Sequence, residues 1–178
     1  AEYLAPKDAL NRKVIRLLKK YNIGLNMAFP EGSFNKEYAK LFGDYEQAGV
    51  TTTVWPLLSD AAGYWANERN AKEFSDYVLS IYDWADKNKF SIPWLAVDLE
   101  LPHRQTVGLK ETRGRELIRR AVELYRENRN PGRFHDASNA YSRLAEAIHA
   151  RGAKIITAAA PFAADDIKSG GTAFQDFM

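Results

Sequence analysis

The sequence predicts an α/β fold, a parallel (β/α) barrel that is incomplete or a fragment, and three observations carry that expectation. Short strand-like runs alternate with helical stretches along the 178 residues, an order that favours parallel strands joined by right-handed crossovers. Within each run one parity is apolar and the other is small or polar, whereas a parallel sheet covered by helices on both faces reads as unbroken apolar runs. Helices outside and a crowded polar interior account for that alternation. Only four strands are legible, while a closed eight-stranded barrel takes roughly 250 residues. The chain opens at Ala1 and closes in mid-pattern on "TAFQDFM", 172 to 178, so a piece of something longer is expected. An open doubly wound parallel sheet is the alternative.

Taken in order, Leu10, Val14, Leu17 and Leu18 recur at helical spacing behind Asp8, and Lys19 and Lys20 suit the last turn. "NIGLNMAF", 22 to 29, alternates as a strand and stops at "PEG". Residues 34 to 48 carry Tyr38, Leu41, Phe42 and Tyr45 on one helical stripe. "VTTTVWPL", 50 to 57, is the second strand. Asn70 and Glu73 have capping-box spacing ahead of a helix over 70 to 88, striped by Phe74, Tyr77, Val78, Ile81 and Ala85. "PWLAVDLE", 93 to 100, is the third strand, followed by helices near 111 to 128 and 138 to 151 with "NPGRFHD", 130 to 136, as a connector. "AKIITAAAP", 153 to 161, is the fourth strand behind Gly152.

Composition narrows the function. Twenty-five Lys and Arg against 23 Asp and Glu leave a formal charge of +2, too little to hold the whole molecule on nucleic acid. No apolar run approaches the roughly 20 residues of a membrane span, so no membrane partner is expected. With no cysteine there is no disulfide, thiolate metal site or cysteine nucleophile. Phosphate-loop, dinucleotide and nucleophile-elbow motifs are missing as well, and no cofactor is expected. "KSGGT", 168 to 172, and the arginines of 113 to 129 read as a loop and a solvated face.

The chemistry gathers at strand ends. Asp98 and Glu100 share a parity and stand about 7 Å apart along the third strand. Two carboxyls that close repel one another, so one keeps its proton while the other stays an anion. Such a pair suits glycoside hydrolysis, with Glu100 as acid and Asp98 as partner. Two other arrangements use the same acids: ion pairing of Glu100 with Arg104 or Lys110, and a divalent cation held by Asp98, Glu100 and His103. Trp55, Trp65, Tyr64 and Phe29 lie where flat rings could stack on sugars, Asp60 and Glu68 share their loop, and Asn26 lies on the polar parity of the first strand. Trp84 and Trp94 read as core.

With a strand closing on "AVDLE", 96 to 100, in this order of strands and helices, the chain resembles the (β/α)8 glycoside hydrolases, and most the chitinase-type branch. There a central strand ends in alternating acids that close on the catalytic glutamate. The resemblance implies Glu100 as general acid, Asp98 as orienting carboxylate, and a carbohydrate substrate. Where that branch carries two further acids this chain has Ala96 and Pro93, which argues against carrying over substrate-assisted catalysis. A non-catalytic carbohydrate-binding or scaffolding barrel and a metal-dependent hydrolase or isomerase are the rival functions. The unpaired edges of half a barrel would seek a second copy or a missing half.

Overall fold

The computed structural model describes residues 12–100, 103–105, 112–158 and 168–170. The chain builds an open α/β sheet of four parallel strands: β1 Leu25–Pro30, β2 Thr52–Leu57, β3 Trp94–Asp98 and β4 Lys154–Ala158. The helices are α1 Arg12–Lys20, α2 Lys36–Ala48, α3 Ala71–Lys87, α4 Gly114–Asn128 and α5 Pro131–Ala150, with a 3-10 turn at Asp60–Ala62. Strand order is β1-β2-β3-β4 without reversal. Leu25 faces Thr52 and so on to Pro30 against Leu57; Thr53 faces Trp94, and Trp94 to Asp98 run beside Lys154 to Ala158.

Alternation along the strands decides which side is the core. Met27, Phe29, Val54, Leu95 and Val97 are buried against Leu41, Phe42 and Tyr45 of α2, Phe74, Val78, Ile81 and Ala85 of α3, and Leu144 and Ile148 of α5. The opposite parity is open by comparison: Asn26 and Ile156 are exposed, and Ala28, Thr53, Trp55, Trp94, Ala96 and Asp98 are half-buried. Adjacent residues in a parallel ladder share a face, so Asn26, Thr53, Trp94 and Lys154 form one row and Ala28 and Trp55 the next towards the carboxyl end.

Several expectations shift. β1 starts at Leu25 because Asn22 sits at φ 51°, a left-handed turn conformation that cannot be extended. Leu17 is 53% exposed, and Ile15 and Leu18 join α1 to the core instead. Phe29 is fully buried, with Phe34, Tyr38, Phe42 and Trp84 at centroid distances of 5.1 to 6.2 Å; its parity removes it from any strand-end site. Trp84 belongs to that core cluster, whereas Trp94 stands on the open parity beneath the Lys154 ammonium, 5.1 Å from its ring. The stretch 130 to 136 is helical: Asn130 caps α5 by accepting from Arg133 N at 3.0 Å, and Pro131 takes the first position, where its missing N–H costs nothing. Asn70 forms no side-chain cap on α3. Asp8, Leu10, residues 159 to 161 and the end of "KSGGT" lie outside the described residues.

Asn35 caps α2 through Oδ1, accepting from Glu37 N and Tyr38 N at 3.0 Å each. Asn35→Ala is expected to cost about 1 kcal/mol and Phe29→Ala about 3 to 5 kcal/mol, both measured by urea unfolding.

Candidate functional site

The candidate site lies at the carboxyl end of β2 and β3, and β3's neighbours carry its alternation past its last residue. Leu99 N donates to Ala158 O at 2.9 Å and Glu100 N to Ala66 O at 3.2 Å, while Leu99 packs on the core. Asp98 and Glu100 therefore keep one parity, opposite Leu99, and both are half-buried. Burial first, and the Glu100 charge second, push the Asp98 carboxyl above the ordinary 3.8. No cation lies within ion-pair range of either acid among the described residues, because Arg104 pairs with Asp60 rather than Glu100. Lys110 lies outside the described residues.

The loop after β2 forms the second wall, held by asparagine amides. Asn70 Nδ2 donates to Ala62 O and Trp65 O at 2.8 Å each, and its Oδ1 accepts from Asn67 N at 2.9 Å. Asn67 donates to Trp65 O and accepts from Arg69 N, both at 2.9 Å, and the Tyr141 hydroxyl of α5 donates to Asn67 O at 2.8 Å. Gly63 is required twice over: its φ is 101°, and a Cβ there would lie 3.0 Å from both asparagine amide nitrogens. Tyr64 follows at φ 66°, a conformation a non-glycine residue keeps only when its surroundings impose it.

Those restraints bring Tyr64, Trp65 and Asp60 to one place with His103. Asp60 Oδ1 lies 2.9 Å from His103 Nδ1, and its Oδ2 accepts from Arg104 Nε at 2.9 Å. The hydrogen bond to His103, then that from Arg104, hold the Asp60 carboxyl below the usual range. The His103 ring is 5.5 Å from Tyr64 and 5.2 Å from Trp65, which meet edge to face at 5.2 Å. Trp65 Nε1 is buried without a hydrogen-bond partner among the described residues.

Of the sequence-predicted residues, Asp60, Tyr64 and Trp65 gather around His103 in the loop after β2, and Asp98 and Glu100 lie at the end of β3, tied to that loop by the Glu100 N–H on Ala66 O. Trp55 stands on the open parity, two residues beyond Thr53, which faces Trp94; that sets it beside Ala96, one row below Asp98. Asn26 is not brought to the site: it lies in the Trp94 row, four residues short of Asp98. Glu68 does not face ligand either. Its carboxylate, 7% exposed, is paired with Arg133, whose Nε donates to it at 2.6 Å. His103 is turned to Asp60, and among the described residues no three His, Asp or Glu side chains are grouped to hold a metal ion. No helix among them is long and apolar enough to cross a membrane.

Sequence reasoning missed the struts behind the loop. Arg133 Nη2 donates to Asn128 O at 2.6 Å and Arg69 Nη2 to Asn128 Oδ1 at 2.7 Å, while Asn128 Nδ2 donates to Gln105 Oε1 at 3.2 Å. They fasten loop, α4–α5 elbow and the 103–105 segment together. "NERN", 67 to 70, was the available signal, since asparagines cluster where side chains bond to nearby backbone.

A carboxyl held above its unfolded pKa binds more protons folded than unfolded, so its contribution to stability falls as pH rises through that interval. Asp98→Asn is therefore expected to raise the melting temperature at pH 7, with a gain that fades on acidification and is gone below the ordinary 3.8. Glu68→Gln is expected to cost about 2 to 3 kcal/mol by urea unfolding, because it leaves the Arg133 charge unmatched in a part-buried site. Comparisons of the chain with protein-family models, with curated proteins and with solved structures find no match.

Proposed function

We propose that the chain is the catalytic part of a (β/α)-barrel glycoside hydrolase acting on a polysaccharide, with Glu100 as general acid and Asp98 as the neighbouring carboxyl that orients and stabilises. The observation that carries this reading is the Asp98 and Glu100 pair, two half-buried acids of one strand parity at the carboxyl end of β3. Catalytic residues of barrels come from those ends. The unreversed strand order and the burial of one sheet parity support the barrel part of the proposal. Strands that follow one another in sequence and space, with right-handed crossovers, carry their helices on a single side.

In this mechanism a glycosidic oxygen takes its proton from Glu100 as the bond to the anomeric carbon lengthens. Asp98, on the same face of the strand, is the orienting partner: burial and the Glu100 charge favour its protonated form, so a second charge does not build up beside the first. Tyr64, Trp65 and Trp55 supply flat apolar surface for pyranose faces, and Asp60 is the loop acid nearest to them.

A second reading, carbohydrate binding without turnover, draws on the rings of Tyr64, Trp65 and His103, which lie 5.2 to 5.5 Å from one another.

Glu100→Gln is expected to lower kcat on polysaccharides and aryl glycosides by a factor on the order of 10² to 10⁴, leaving binding by calorimetry within a few-fold. Unchanged turnover would refute the catalytic assignment, and glycan binding with no turnover in the wild-type chain would select the second reading.

A further inference from the structure

His103 takes no part in the acid pair, and its surroundings are more completely built than those of either acid. Its backbone N–H donates to Gly63 O at 3.3 Å, fastening it to the loop that carries Tyr64 and Trp65. Asp60 faces its Nδ1 at 2.9 Å, and the second oxygen of Asp60 is taken by Arg104 Nε at 2.9 Å. An ionised carboxylate only accepts hydrogen bonds, so Nδ1 must carry the proton. In the neutral ring the free lone pair is then at Nε2, which has no partner among the described residues. The side chain is 41% exposed and is bordered by Tyr64 and Trp65 at 5.5 and 5.2 Å.

We propose that His103 is a further substrate-contacting residue of this site, offering Nε2 to a hydroxyl of an uncharged sugar that lies against Tyr64 and Trp65, with Asp60 as the positioning residue that fixes the tautomer. The proposal rests on the carbohydrate reading above and adds the substrate class. A hydroxyl is the donor that a lone pair flanked by aromatic walls can take.

Charge selects against acidic sugars. Arg104 is committed to Asp60 and Arg133 to Glu68, while Asp98 and Glu100 have no cation within ion-pair range among the described residues. A uronate set against His103 would bring its carboxylate beside Asp60, whose charge already engages Arg104, so like charges meet with that cation already committed.

The test titrates the wild-type chain, His103→Ala and Asp60→Asn with the hexasaccharides of cellulose, N-acetylchitin and mannan, and with a hexagalacturonate. Calorimetry gives affinity, and nitrogen-detected imidazole NMR reports the His103 tautomer. The expected result is binding of at least one uncharged hexasaccharide and none of the uronate. His103→Ala should weaken it about tenfold, the loss of one hydrogen bond, at unchanged melting temperature. Asp60→Asn should weaken it less and shift the imidazole signals from a single Nδ1–H form to a mixture. Wild-type affinity in His103→Ala, or tighter binding of the uronate, would overturn the proposal and leave the carbohydrate reading standing. Failure of the wild-type chain to bind any uncharged hexasaccharide would remove that reading and the proposal with it.

Discussion

One constraint orders this molecule: every second side chain of its strands must leave water, and the helices supply the cover on one side. Met27, Phe29, Val54, Leu95 and Val97 are buried under α2, α3 and α5. At about 25 cal/mol per Å² of apolar surface removed from water, that burial is far larger than any preference of the opposite parity, which takes whatever orientation is left. The two acids of "DLE" occupy that parity because Leu99 between them packs inward. Their chemistry is thus a consequence of where leucine goes.

The loop after β2 solves a different problem. A segment that holds aromatic rings beside a strand end has no ladder to satisfy its backbone, and unsatisfied backbone groups are costly once water is displaced. Asn67 and Asn70 act in place of the ladder, taking up the carbonyls of Ala62 and Trp65 and the amides of Asn67 and Arg69. Behind them the Glu68 and Arg133 pair joins the loop to the start of α5, so the α4–α5 elbow is coupled to the wall of the site although it lies distant in sequence.

The order of elements and the buried parity were legible in the sequence because both follow from period alone: Phe74, Val78, Ile81 and Ala85 recur at helical spacing, and Leu95 and Val97 flank Ala96. Ends were less legible. "NPGR" reads equally as a turn or as a cap followed by a first-turn proline, and only the packing of Ala137, Leu144 and Ile148 decides for the helix. Asn70 has the spacing of a capping residue, yet its amide finds better use in the loop. Phe29 and Trp55 both lie near the carboxyl ends of their strands, and a shift of one position in parity sends the first to the core and the second to the open face. Glu68 and Arg133 are 65 residues apart, and pairings of that kind are invisible without the fold. The same holds for Asp60 and His103, which meet only because the 3-10 turn and the segment after β3 are laced to one another.

Gly63 carries an evolutionary corollary. A methyl group added there would press on the amides of two asparagines at once, and both of those amides donate to the Trp65 carbonyl. Effects of substitution at positions 63, 67 and 70 cannot then be summed from single changes. Descendants of this sequence can alter the trio only together, so epistasis would keep this stretch of chain static while its surface neighbours drift.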